Sequence, residues 1–133
     1  MVTVRSETLK PQKIHLHKQS KTLEIVFNET TYWLPAEFLR THSPSAEVRG
    51  HGAGQEVLVF GKIDVGISSI KPVGNYGLQI NFDDGHDSGI FSWGYLSELG
   101  ENQVPLWQQY EEKLQAEQKN RDPHTVVVQF TPS

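Results

Sequence analysis

The sequence contains no cysteine, and this absence removes several kinds of chemistry at once. Without thiols the chain forms no disulfide, offers no thiolate nucleophile and cannot hold a cysteine-based zinc finger or its own iron–sulfur cluster. Long apolar runs are also missing, since none approaches the roughly 20 residues of a membrane-spanning helix. Residues 1–6 lack the apolar centre of a secretion signal. We therefore expect a cytoplasmic protein that does not engage a membrane.

Positive charge is scarce as well. The chain carries 12 Lys and Arg against 16 Asp and Glu, for a net charge of -4. Residues 1–50 hold 7 basic and 5 acidic side chains, whereas residues 51–133 hold 5 basic and 11 acidic ones. Nucleic-acid-binding domains normally present a basic stripe, and no such stripe occurs here. We expect no nucleic-acid partner.

What the chain does contain is enough apolar and aromatic material for one domain of 133 residues. In the first half, apolar alternation predicts a hairpin around a turn at residues 18–21, a third strand at 31–34 and a short helix after Pro35. In the second half, it predicts strands at 65–73, 76–82 and 89–91, with Tyr76 on the same face as Leu78. Ser92 is the expected N-cap of a helix over 93–99 that Gly100 ends.

These elements predict an α+β fold, namely a small, mostly antiparallel sheet of two hairpin-like units with two or three short helices. We divide the chain into a flexible arm at 1–11, a domain at 12–100, an amphipathic helix at 101–120 and a tail or extra strand at 121–133. A long polar loop is expected over residues 41–61. The C-terminal helix either packs on the domain or presents an apolar stripe to a partner or a second copy, and its stripe consists of Leu106, Trp107, Tyr110 and Leu114.

No catalytic constellation is visible, because no nucleophile–base pair and no carboxylate pair can be recognised. We therefore predict that the chain is not an enzyme. Trp33 and Trp93 are both expected to pack in the core.

Histidines are the remaining candidates for chemistry. His15 and His17 alternate along a strand and project from its non-core face, where a pair of imidazoles can hold a metal, but no third ligand is identifiable. We favour exposed strand histidines for both. His42 is expected to cap the last carbonyls of the short helix. His86 is flanked by carboxylates in a predicted turn. Its alternative roles are a structural turn residue, a metal ligand or a contact to a partner.

Several segments, taken in order, are similar to one known family. They are Trp33-Leu34, Ser43-Pro44-Ser45, Val73-Gly74-Asn75-Tyr76, Asp84-Gly85-His86 and Ile90-Phe91-Ser92-Trp93-Gly94-Tyr95-Leu96. Together they resemble the γ-butyrobetaine hydroxylase-like N-terminal domain family, across about residues 13–99. In carnitine-pathway oxygenases this domain precedes a catalytic domain that uses iron and 2-oxoglutarate, and in some plant proteins it follows a P-loop iron–sulfur carrier. The chain looks like the stand-alone bacterial type.

The resemblance also implies a zinc site made of three cysteines and the histidine of the Asp-Gly-His turn. The cysteine positions fall on Ser43, Ser45 and Val48, and the histidine position falls on His86. A hydroxyl is a poor zinc ligand and a valine is none, so the family's tetrahedral site is not expected to form here.

The leading hypothesis is a non-catalytic module that docks on a protein partner in iron–sulfur or oxygenase metabolism, through residues 41–61 and 84–93. The alternative is a metal-binding protein that holds iron or zinc through His86 and nearby carboxylates or histidines. No cofactor is certain in either case, and a homodimer remains open. The candidate contact residues are His42, His51, Asp84, His86, Asp87 and Trp93.

Overall fold

The computed structural model describes residues 10–44, 57–85 and 87–124, with the backbone alone at residues 87 and 88. The predicted arm up to residue 9, most of the predicted loop, His86 and the predicted tail from residue 125 lie outside the described residues. The described residues form two three-stranded antiparallel sheets and three helices, which confirms the α+β prediction. In this part of the chain, no helix has both the length and the apolar character needed to cross a membrane.

The first sheet follows from the alternation in the N-terminal half. Leu23, Ile25 and Phe27 are buried, as the alternation predicts for one face of a strand. The turn at residues 18–21 is present, and Asn28 in the next turn has a φ of 52°, a conformation that Asn adopts more readily than most residues. The strands pair in the order β1 (Lys13–His17), β2 (Thr22–Phe27) and β3 (Thr30–Pro35).

The second sheet repeats this plan. Leu78, Ile80 and Phe82 are buried as predicted. Tyr76, however, is 58% exposed, because it belongs to the turn that begins at Gly74 rather than to the strand. The strands pair in the order β4 (Ile67–Val73), β5 (Gly77–Phe82) and β6 (Asp87–Ser92).

Three helices connect and cover the sheets, namely α1 (Ala36–Thr41), α2 (Trp93–Glu101) and α3 (Gln103–Ala116). Pro35 is the N-cap of α1, one residue before the predicted first turn. Ser92 caps α2 as predicted, since its hydroxyl accepts a 3.0 Å hydrogen bond from the backbone N–H of Tyr95.

One core lies between these elements. Both sheets and the helices contribute fully buried side chains, among them Ile25, Phe38, Ile80, Phe91 and Leu96. Burying a side chain of this size contributes about 1.5–3 kcal/mol to the free energy of unfolding. The core therefore joins the two sheets into one domain.

The C-terminal helix α3 packs on the domain, which decides between the two predicted arrangements. Tyr110 and Leu114 are buried, and Leu106 and Trp107 are partly buried against the core. The Tyr110 hydroxyl also donates a 2.7 Å hydrogen bond to the carbonyl of Val59. The apolar stripe of α3 is thus used within the chain.

Trp33 corrects a prediction, because its side chain is 51% exposed rather than part of the core. Neighbouring residues on a strand point to opposite faces, and Leu34, which is fully buried, takes the inward position of β3. Trp33 consequently lies on the outer face of the first sheet, directly across from Glu24 of β2.

Gly100 corrects another prediction, because α2 continues through it to Glu101. Its role is close packing. A Cβ atom at this position would lie 2.4 Å from Cγ of Tyr32, well inside contact distance. The ring of Tyr32 lies directly against the helix backbone, and only glycine leaves room for it.

This contact predicts an unusual sign for Gly100→Ala. Within a helix the change normally stabilises by about 0.5–1 kcal/mol, whereas overpacking against Tyr32 is expected to destabilise by about 1–3 kcal/mol. Urea unfolding measures the difference, with exposed Glu98→Ala on the same helix as the control. In a Tyr32→Ala background the loss should disappear. Stabilisation by Gly100→Ala in the native background would contradict the account.

Candidate functional site

The start of the predicted loop lies against α2, and hydrogen bonds hold it there. The Tyr95 hydroxyl donates a 2.7 Å hydrogen bond to the carbonyl of His42, just after α1. Ser43 follows and is fully buried. The fold therefore places the beginning of residues 41–61 against α2, and Pro44 lies at the same cleft as Ile90 and Ser92.

His42 is a capping residue, as predicted. Its backbone N–H and its ring Nδ1 both donate to the carbonyl of Phe38, at 3.1 Å and 2.9 Å. The ring packs near Phe38 and Tyr110, with centroids 4.6 Å and 6.0 Å away. Burial lowers the pKa of His42 below its usual value, an effect that the hydrogen bond to Phe38 partly offsets. His42 is thus a neutral structural residue at pH 7.

Asp84 joins three segments of the chain. Its Oδ2 accepts hydrogen bonds from Arg40 Nε at 2.9 Å and from Lys62 Nζ at 2.7 Å. The Arg40 side chain is only 4% exposed, so the carboxylate neutralises a buried cation of α1. Next to it, Asp83 accepts a 2.9 Å hydrogen bond from the backbone N–H of Gly66. The turn before His86 is thereby attached to α1 and to the start of β4.

Of the other predicted contact residues, Trp93 lies in the core, and the side chains of the rest are not among the described ones. Trp93 is 4% exposed and its indole donates a 3.0 Å hydrogen bond to the carbonyl of Asn75, so it is a core residue, as the sequence favoured. Asp87 begins β6, but its side chain is outside the description. His51 and His86 lie wholly outside the described residues. A metal site at His86 stays a prediction, although Asp84 and His42 already have partners within the domain.

The family's zinc site can be tested against the donors that are present. Ser43 stands at the first cysteine position as a fully buried hydroxyl. Ser45 and Val48 stand at the other two, outside the described residues. Two hydroxyls and an aliphatic side chain do not replace three thiolates, so this donor set does not fit a tetrahedral zinc ion.

An open cleft of about 550 Å³ lies where the loop start meets β6 and α2. Ile90 of β6 is 38% exposed at this cleft, and Pro44 comes from the loop start. Polar groups stand beside these apolar ones. The remaining lining residues are Ser92, Gly94, Tyr95 and Glu98.

A second, smaller cleft of about 250 Å³ contains an ion pair that the sequence did not reveal. Arg121 donates from Nε and Nη2 to both carboxylate oxygens of Glu37, at 2.8 Å and 2.7 Å. The guanidinium also lies 5.1 Å from the ring centroid of Trp107. These partners are 84 residues apart in sequence, and no local pattern relates them.

A third grouping lies on the outer face of the first sheet. Glu24 of β2 stands beside His15 and His17, and ligand atoms of the three residues all lie within 4.8 Å of one another. The sequence identified the two histidines but not this carboxylate, because strand pairing alone brings it to them.

Comparison with known proteins identifies the family of this chain. The family model described as gamma-butyrobetaine hydroxylase-like, N-terminal, matches residues 14–97, which include both sheets except Lys13, the helix α1 and the first five residues of α2. The chain belongs to this family. The match stops before α3, so the packed C-terminal helix is an addition to the part that the family model covers.

Solved relatives have the same fold over nearly their whole length. Two solution NMR structures are 50% and 43% identical to this chain, with TM-scores of 0.79 and 0.76. They cover 93% and 99% of this chain, and the matches span 98% and 100% of theirs. A crystal structure of a DUF971-family protein of unknown function from Acidithiobacillus ferrooxidans is 32% identical, with a TM-score of 0.58 over 73% of this chain and 98% of its own. No curated protein matches.

The Asp84 contacts predict a large effect of Asp84→Asn. Removing the charge leaves the buried Arg40 without its carboxylate, which is expected to cost about 3 kcal/mol in the free energy of unfolding. Asp64→Asn is the control, because Asp64 is exposed and contacts Lys21 through its backbone carbonyl. The control is expected to change stability by less than about 0.5 kcal/mol. Similar losses in both variants would show that the contacts at Asp84 contribute little.

The lowered pKa of His42 predicts a pH-dependent stability. Below pH 6.5, the ordinary value, the unfolded chain binds a proton that the folded chain resists, so stability falls as the pH falls. One such group contributes at most about 1.4 kcal/mol per pH unit. The free-energy difference between wild type and His42→Gln should therefore shrink between pH 7.5 and pH 5.5. An unchanged difference would mean that His42 titrates normally in the fold.

Proposed function

We propose that the chain is a non-catalytic binding module that docks on a protein partner in iron–sulfur or 2-oxoglutarate-oxygenase metabolism. The observation that supports it most is the open cleft, lined by Pro44 from the loop start and by Ile90 and Tyr95 of β6 and α2. In the carnitine-pathway oxygenases this domain is covalently joined to an oxygenase domain, and in the plant proteins it is joined to an iron–sulfur carrier. In the proposed function, this domain contacts a separate oxygenase or carrier non-covalently.

The described polar residues of this region support a structural rather than a catalytic use. Asp84 is paired with Arg40 and Lys62, and the His42 ring bonds to the helix end. These ion pairs and this hydrogen bond fix the positions of the surrounding segments. The exposed side chains around Ile90 are then the ones that would contact the partner.

The chemistry of the cleft suggests the character of the partner. Ile90 and Pro44 offer apolar contact area, and Glu98 adds negative charge. Residues 51–133 also carry six more acidic than basic side chains (11 against 5). A complementary partner inserts an apolar side chain beside Ile90 and surrounds it with basic residues.

Affinity measurements with defined proteins test the proposal. The probes are a purified P-loop iron–sulfur carrier and a purified 2-oxoglutarate oxygenase, each titrated with the full chain. Ile90→Glu is expected to weaken binding to one of them at least tenfold, because it places a charge in the apolar centre of the contact. Val104→Glu is the matched control, since Val104 is a 68% exposed apolar residue on α3, outside the cleft.

Three results would contradict the proposal. The first is the absence of saturable binding to either probe. The second is equal affinity of wild type and Ile90→Glu, which would remove the cleft from the interaction. The third is an equal loss in Ile90→Glu and Val104→Glu, which would show that added negative charge, rather than the cleft, accounts for the effect.

A further inference from the structure

We propose that His15, His17 and Glu24 form a binding site for a divalent transition-metal ion of the zinc class. The site lies on the outer face of the first sheet and uses none of the positions that the family's zinc site would use. The inference is also independent of the proposed docking, because the cleft is built from β6, α2 and the loop start.

Strand pairing brings the three side chains together. His15 of β1 lies directly opposite Glu24 of β2, and His17 is two residues further along the same face of β1. On its other side Glu24 is paired with Trp33 of β3. The backbone of a three-stranded sheet therefore holds the ligands, which favours a fixed arrangement over a chance encounter of loop residues.

The distances are close to what a small ion needs. His17 Nε2 lies 2.9 Å from Glu24 Oε1, and His15 Nδ1 lies 4.0 Å from the same oxygen. Ligand atoms about 2.0–2.1 Å from a tetrahedral zinc ion are about 3.3 Å apart. Small side-chain shifts suffice to bring the three atoms to that spacing. His15 is 54% exposed, so its ring has room to turn towards the others.

The carboxylate is also largely enclosed by its neighbours on the sheet. Glu24 is only 12% exposed at its side chain, an unusual degree of burial for a carboxylate on an outer sheet face. Lys13 contacts the second oxygen, Oε2, at 3.7 Å and leaves Oε1 to the imidazoles.

The donor set decides the kind of ion. Two imidazoles and a carboxylate suit Zn²⁺, Ni²⁺ or Cu²⁺, whereas Mg²⁺ and Ca²⁺ prefer oxygen ligands alone. Three protein ligands leave the fourth position of a tetrahedral ion to water. Trp33 borders the site, with its ring centroid 5.4 Å from that of His17.

Calorimetric titration of the full, untagged chain with Zn²⁺ tests the site. One equivalent is expected to bind, and Mg²⁺ is expected to give no signal. His15→Ala, His17→Ala and Glu24→Gln should each weaken Zn²⁺ binding at least tenfold. Glu24→Gln keeps the shape of the side chain, so its effect separates ligation from folding. His124→Ala, which removes an exposed histidine far along the chain, should leave the affinity unchanged.

Two further readouts locate the ion. Cu²⁺ quenches nearby tryptophan emission, so it should quench wild type more than Trp33→Phe, while both bind Zn²⁺ equally. Lys13→Gln should tighten Zn²⁺ binding roughly threefold, because it removes a cation beside the ion.

The proposal fails if no Zn²⁺ binds at one equivalent, or if the three ligand variants bind as tightly as wild type. Loss of binding in His86→Ala with retention in those three variants would also overturn it, and would move the site to the Asp-Gly-His turn.

Discussion

Two opposite charges on one buried helix determine how the rest of the structure is assembled. Every residue of α1 is buried, including Glu37 and Arg40. Breaking a buried ion pair costs about 3–5 kcal/mol, so such charges persist where the fold supplies counter-charges. Arg40 meets Asp84 in the turn before β6, and Glu37 meets Arg121 after α3. One pair attaches the helix to the second sheet and the other attaches it to the C-terminal segment, so α1 links parts of the chain that are distant in sequence.

The same pairs govern what is left for function. Asp84 lies in the turn that best identifies the family, yet its carboxylate neutralises Arg40. The apolar face of α3 packs on the core, which withdraws it from any partner. Among the described residues, the cleft around Ile90 and the His15–Glu24 face of the first sheet keep groups exposed for binding. The chain thus keeps the family's fold, while neither place uses residues 43, 45, 48 or 86 of the family's zinc site.

Local patterns predicted the parts of the fold that depend on neighbours in sequence. The two hairpins, the Ser92 cap and the capping role of His42 all follow from residues a few positions apart.

The features that the sequence did not predict correctly depend on packing between residues distant in sequence. Leu34, rather than Trp33, is the residue of β3 that packs in the core. Gly100 is required because the ring of Tyr32 packs against it, and it does not end a helix. Glu24 became the third member of the histidine group only through strand register. Sequence periodicity gives the face of a residue but not the identity of its neighbour across the sheet.

We infer that the paired charges of α1, together with the shared core, join both sheets and α3 into one cooperative unit. Native-state hydrogen exchange at low denaturant concentrations tests it most directly, because it measures the opening free energy of each element separately. We expect the opening free energies of the backbone amides of Leu114 in α3, Ile25 in β2 and Ile80 in β5 to converge on the free energy of global unfolding. Exchange of Leu114 through an opening several kcal/mol below that of the two sheets would contradict it.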